Sequence, residues 1–145
     1  GGLLRLHDAE DGRVLHESPS AAAVSIYALA YSPDGLHLAA ADREGVITIR
    51  DARTGALERT VLSDDHELRG LVYSPDGKTL AAGGFDRKVR LWDPELGNEL
   101  LTLNGHEAQI NDLTFQPDGN ALVSVDHSGV LRFWWAIPTE NKDAE

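Results

Sequence analysis

The 145-residue chain carries 24 Asp and Glu against 13 Lys and Arg, a formal charge of −11, and 41% of its residues are hydrophobic. The acidic balance argues against nucleic acid, which needs a clustered basic field, while the apolar content is that of a folded domain with a core. No Cys means no disulfide framework and no thiolate metal site, and no apolar run approaches the ~20 residues of a membrane span.

In chain order, Leu4-Arg5-Leu6-His7-Asp8 opens a short strand and a turn that closes at Gly12, and Arg13–Glu17 forms a second strand. There is no Met, and Gly1-Gly2 reads as a trimmed start that opens in mid-unit. Residues 20–31 hold the longest small-apolar stretch, interrupted by Ser25 and Tyr27. It ends at Ser32-Pro33-Asp34-Gly35, which recurs as Ser74-Pro75-Asp76-Gly77 and Gln116-Pro117-Asp118-Gly119, 42 residues apart each time. Pro presets φ, Asp bonds the local backbone and Gly accepts positive φ, so each copy is a tight turn. Apolar runs flank it: Ile26–Tyr31, Leu68–Tyr73 and Ile110–Phe115 before, and Leu36–Ala40, Lys78–Ala82 and Asn120–Ser124 after. These pairs predict antiparallel hairpins.

Polar turns follow at Asp42–Gly45, Phe85–Arg87 and His127–Gly129. Alternating runs come next, as Ile47-Thr48-Ile49-Arg50, Val89-Arg90-Leu91-Trp92 and Leu131-Arg132-Phe133-Trp134, with one apolar face each. Turns at Asp51–Gly55 and Asp93–Gly97 lead into fourth strands at Ala56–Val61 and Asn98–Leu103. In the last copy Trp135 stands at the turn Asp and Thr139 at the Gly, so no fourth strand closes it. The prediction is 13 strands, grouped two, four, four and three. A fixed period of this kind marks stacked supersecondary units, none of which buries its apolar faces alone.

With Gly105-His106 near the start of one unit and Trp92-Asp93 near the end of another, the chain resembles the WD-repeat β-propeller family up to about residue 137. The resemblance implies an all-β fold, a partial β-propeller of four-stranded antiparallel blades, about three and a half of them. The divisions are a blade remnant at 2–18, blades at 22–62 and 64–104, a three-stranded blade at 106–137 and a tail at 138–145. In this family a His, a Ser or Thr, a turn Asp and a Trp tie each blade together. Carried over by the 42-residue step, the last blade has His106, Ser124 and Trp134, with Ser128 at the Asp position. The middle blade has Asp86 and Trp92, with Asp64 and Ala82 in the other places, and the first has Ala22, Ala40, Glu44 and Arg50. Cohesion is therefore expected mainly from apolar packing between sheets. Three and a half blades cannot close a ring, so self-association or further blades would be needed to cover the cut edges. A dimeric ring of two such chains would place five strands at each four-strand seam.

Chemistry is sparse. His106, Ser124 and Asp126 have the residue types of a nucleophilic triad, but no Gly-x-Ser-x-Gly elbow accompanies them, and the blade network accounts for His106 and Ser124. Asp64-Asp65-His66-Glu67 is rich in metal donors without matching a calcium loop. Asp34, Asp76 and Asp118 are turn residues, one to a blade, and are not expected to converge. No catalytic residue, metal or cofactor is assigned. Recognition is the better reading: the family docks proteins on the face bearing the loops before the first strands and the turns after the second. The positions mapping there are Tyr27, Arg69 and Asn111 in first strands, and Arg43, Phe85 and His127 in the turns. The function expected is a non-enzymatic scaffold for a protein or peptide partner, with no nucleic acid and no membrane. One rival is a regulatory or targeting region of a larger enzyme whose catalytic domain lies outside this sequence. Another is a fragment that self-assembles into a ring.

Overall fold

The computed structural model describes residues 3–19, 25–62 and 67–135. Within them, tight turns cut the chain into 13 strands in four antiparallel sheets. A two-stranded ribbon comes first, β1 (Leu3–His7) with β2 (Val14–Pro19). The first full sheet is β3 (Ile26–Tyr31), β4 (His37–Asp42), β5 (Val46–Asp51) and β6 (Leu57–Leu62), paired in chain order. The middle sheet repeats it as β7 (Leu68–Tyr73), β8 (Leu80–Gly84), β9 (Lys88–Trp92) and β10 (Glu99–Asn104). The last has three strands, β11 (Ile110–Phe115), β12 (Ala121–Asp126) and β13 (Leu131–Trp135). The grouping of two, four, four and three is the one the repeat predicts, and the sheets do not close into a ring.

The turn chemistry explains the meander. Asp34 Oδ1 accepts from the Leu36 N–H and the Ser32 hydroxyl, Gly35 N–H donates to Ser32 O, and Gly35 sits at φ 72°. Asp76 and Gly77 repeat the arrangement. His37 N–H in turn donates to Ser32 Oγ, which holds Leu36 inside the turn. For that reason the second strands begin one or two residues later than the apolar runs suggest.

Side-chain alternation then buries the middle sheet on both faces. Leu71, Tyr73, Leu80, Ala82 and Trp92 meet Ala39, Ala41, Ile47, Ile49 and Val61 of the first sheet. Ala81 and Val89, from the opposite face, meet Ile110, Leu113 and Leu122 of the last sheet. Each fully buried Leu, Ile or Val contributes roughly 1.5–3 kcal/mol, so these two layers hold the sheets together. Glycine sets how closely they approach: a Cβ on Gly70 would lie 2.8 Å from Leu113 Cδ2 and 3.1 Å from Asp112 Cα, and one on Gly83 would lie 2.9 Å from Ile110 Cγ2.

The outer faces of the array are apolar and open. Leu29 and Tyr31 are exposed on the first sheet, and Leu131, Phe133 and Trp135 on the last, where the Phe133 and Trp135 rings stack 6.2 Å apart. By the 42-residue step, Leu29 and Tyr31 correspond to the buried pair Leu71 and Tyr73. Leu131 and Phe133 likewise correspond to the buried Ile47 and Ile49.

Candidate functional site

Two clusters of chemistry-bearing side chains lie at the loop end, where the chain enters each first strand and turns from the second to the third. This end is stapled alike in the three larger sheets: Arg43, Phe85 and His127 donate their N–H groups to Ser25, Glu67 and Gln109 carbonyls respectively.

The first cluster is buried in the last sheet. His106 Nδ1 lies 2.8 Å from Asp126 Oδ2 and its Nε2 lies 2.7 Å from Ser124 Oγ, which accepts from Trp134 Nε1–H at 2.8 Å. With Nδ1–H donating to the carboxylate, Nε2 accepts the Ser124 hydroxyl proton, and every polar atom in the relay is used. Trp134 also meets the imidazole edge-on, with ring centroids 6.1 Å apart. Asp126 is the anchor: its Oδ1 accepts from the Ser128 hydroxyl and from the Ser128 and Val130 N–H groups, closing the turn after β12. These bonds, the Ser128 hydroxyl first and His106 next, hold its carboxyl well below the usual range.

The position of the acid departs from the sequence reading. The repeat step assigned it to Ser128, whereas Asp126, two residues earlier, supplies the carboxylate and Ser128 only supports it. The order Asp126–His106–Ser124 is that of a nucleophilic triad, but Ser124 is 0% exposed and its oxygen already accepts from an indole. Its geometry is that of a structural tie.

The middle sheet has no such relay. Ala82 and Gly84 stand where the last sheet has Ser124 and Asp126, and Trp92 is buried in the core between the first and middle sheets. Asp86 instead faces Arg90, with Nη1 2.5 Å from Oδ2 and both side chains almost wholly buried. In the first sheet Arg50 occupies the Trp position, buried, and donates to Gly55 O at 3.0 Å. Ala22 and Asp64, and with them Asp64-Asp65-His66 of the metal reading, lie outside the described residues. Glu67, which ends that run, pairs with Arg69 at 2.8 Å.

The second cluster is exposed. The Arg69 guanidinium carbon lies 5.1 Å from the centroid of Phe85 and 6.0 Å from that of Tyr27, within the range of cation–π attraction. Tyr27 belongs to the first sheet and the other two to the middle one, so the contact bridges two sheets. Phe85 keeps 47% of its surface exposed and Tyr27 is also open, leaving a platform of two aromatic rings and a cation paired with Glu67. Arg43, Asn111 and His127 occupy the same end and are exposed, without a recorded contact to this trio. Sequence position placed Tyr27, Arg69 and Phe85 on one face. It did not reveal that Arg69 joins the two rings, nor that Arg90 neutralises Asp86.

Comparison with known families accounts for the period. The model for the WD domain, G-beta repeat (WD40), matches residues 12–51, 57–93 and 97–134. Each matched segment begins at or just before the outermost strand of one sheet and runs through three strands of the next. No curated protein matches the chain. The matched segments cover most of its length, and the chain belongs to the WD40 repeat family.

Proposed function

We propose that this protein is a non-enzymatic scaffold that docks a protein or peptide partner on the end carrying Tyr27, Arg69 and Phe85. The observation that supports the reading is Arg69 held between two exposed rings from adjacent sheets. Aromatic residues and Arg are the side chains that dominate binding hot spots, because they bring large area and directed polarity at little conformational cost. A partner offering a carboxylate reaches the guanidinium, and one offering an apolar side chain reaches the rings. WD40 repeats generally mediate protein–protein contact, which agrees with this use of the surface.

The test is alanine substitution of Phe85, Arg69 and Arg43, read as retention of a partner that co-purifies with the chain. Loss with Phe85→Ala or Arg69→Ala supports the reading, and unchanged retention in all three removes this surface. A second reading has its own observation, the open faces of the first and last sheets, whose residues are repeat-equivalents of buried ones. There, a further WD-type sheet, from the same protein or a second copy, completes the stack. Molar mass measured over a range of concentrations tests self-association, and a monomer throughout removes it.

A further inference from the structure

The opposite end of the sheets carries the Pro-Asp-Gly turns and the turns after the third strands, since both leave the meander on that side. Between the first and middle sheets these turns line a groove of about 950 Å³. Its two Pro-Asp-Gly turns abut: a Cβ on Gly77 would lie 3.5 Å from Pro33 Cδ. Across the groove, Arg59 Nη1 donates to Pro94 O at 2.6 Å and ties the two sheets. Asp34 and Asp76, expected from the sequence to stay apart around the rim, line this one groove together.

Two independent features point to a ligand. The first is charge: Asp34, Glu58, Asp76, Asp93 and Glu95 face only Arg59 and Lys78 as permanent cations, with His37 3.2 Å from Glu58. In Asp34, Asp76 and Asp93, Oδ1 is committed to the residue's own turn. Their Oδ2 atoms accept no hydrogen bond from a described residue. The second is Tyr73, which lines the groove at 7% exposure with a hydroxyl that makes no hydrogen bond to any described residue. Burial, and then the charge of Asp34, push that hydroxyl up to about 12, which places it among the groove's carboxylates. The ring is enclosed while the hydroxyl stays open to the groove, so any group it bonds there comes from the solvent side. The neighbouring groove between the middle and last sheets supplies a control, since its repeat-equivalent of Tyr73 is Phe115. Packing at this position needs only the ring.

We propose that the groove binds a basic side chain, a lysine or arginine of a peptide partner, on a surface distinct from the Arg69 cluster. The free carboxylate oxygens of Asp34 and Asp76 take its N–H donors and the Tyr73 hydroxyl accepts another. Its aliphatic stem lies against Pro33 and the exposed Leu96. Among the described residues no group of three or more His, Asp or Glu is arranged to hold a metal ion, which favours a cationic side chain over a bare cation.

The test is a titration of the 145-residue chain with acetyl-Gly-Arg-Gly-amide, its Lys counterpart and a neutral Gln counterpart, followed by backbone amide shifts in NMR. Saturable shifts at Leu36, Lys78 and Leu96 with the basic peptides, and none with the Gln peptide, support the site. Asp34→Asn with Asp76→Asn keeps an oxygen for each turn and should weaken binding about tenfold or more. Tyr73→Phe, which copies Phe115 and keeps the test open if the turn variants unfold, should weaken it about threefold to tenfold. Equal shifts around Asp118 and Asn120, shifts that never saturate, or affinities unchanged in both variants overturn the proposal.

Discussion

The middle and last sheets seat a buried carboxylate at the same end in two different ways. In the last sheet Asp126 belongs to a relay that passes through His106 and Ser124 to Trp134. In the middle sheet Gly84 and Ala82 remove two members of that relay, and Asp86 is neutralised by Arg90 instead. Both sheets nonetheless follow the same meander through Pro-Asp-Gly turns and are joined by one apolar layer. The framework is therefore set by the apolar layers and the turns, and the polar tie is a local solution to one buried charge. The two solutions differ in fragility: an ion pair stripped of one partner leaves a bare charge, whereas a relay of hydrogen bonds loses its members one at a time.

That contrast can be tested from its largest effect downwards. Arg90→Ala should cost about 3–5 kcal/mol, because Asp86 stays buried without its cation. Urea unfolding measures it, and a loss below about 1 kcal/mol would show that water reaches the pair. Gly83→Ala forces a Cβ against Ile110 between the middle and last sheets and should cost about 1–3 kcal/mol while leaving the polar ties alone. Ser124→Ala should cost about 1–3 kcal/mol, since His106 and Trp134 each lose a partner. The same Ser at position 82 should bring no matching gain, because Asp64 and not His stands at the position equivalent to His106.

Asp126 is depressed in the folded state, so its contribution is present above the ordinary carboxylate range and is lost as pH falls through the folded value. Ser128→Ala removes the largest cause and should flatten the fall in stability seen between about pH 4 and lower pH. Parallel acid limbs in the variant and the parent would count against the Ser128 bond. The smallest effect is a gain. Arg87 sits at φ 67° where the equivalent turn residues are Gly45 and Gly129, so Arg87→Gly should stabilise the chain by about 1 kcal/mol in thermal unfolding.

Much of the fold was legible because it is written in turns. Pro-Asp-Gly has one local solution, and the 42-residue step carried strand identity from copy to copy to within a residue or two. The relay was less legible for a physical reason. Asp126 caps its own turn through Oδ1, and that bond aims Oδ2 back at His106. Spacing aligns positions but does not fix which way a side chain points, so it nominated Ser128. The same limit hid the groove: Asp34 and Asp76 read as separate turn residues until the sheets brought Pro33 against Gly77.

The matched segments are offset from the sheets by one strand. Each begins with the outer edge of one sheet and ends inside the next, so neighbouring modules are dovetailed and not simply abutted. Excising residues 56–97 would join Gly55 to Asn98 and hand β10 to β5 as its new outer neighbour. The shortened array would keep a complete four-stranded sheet with no orphan edge, having lost a module and a single seam.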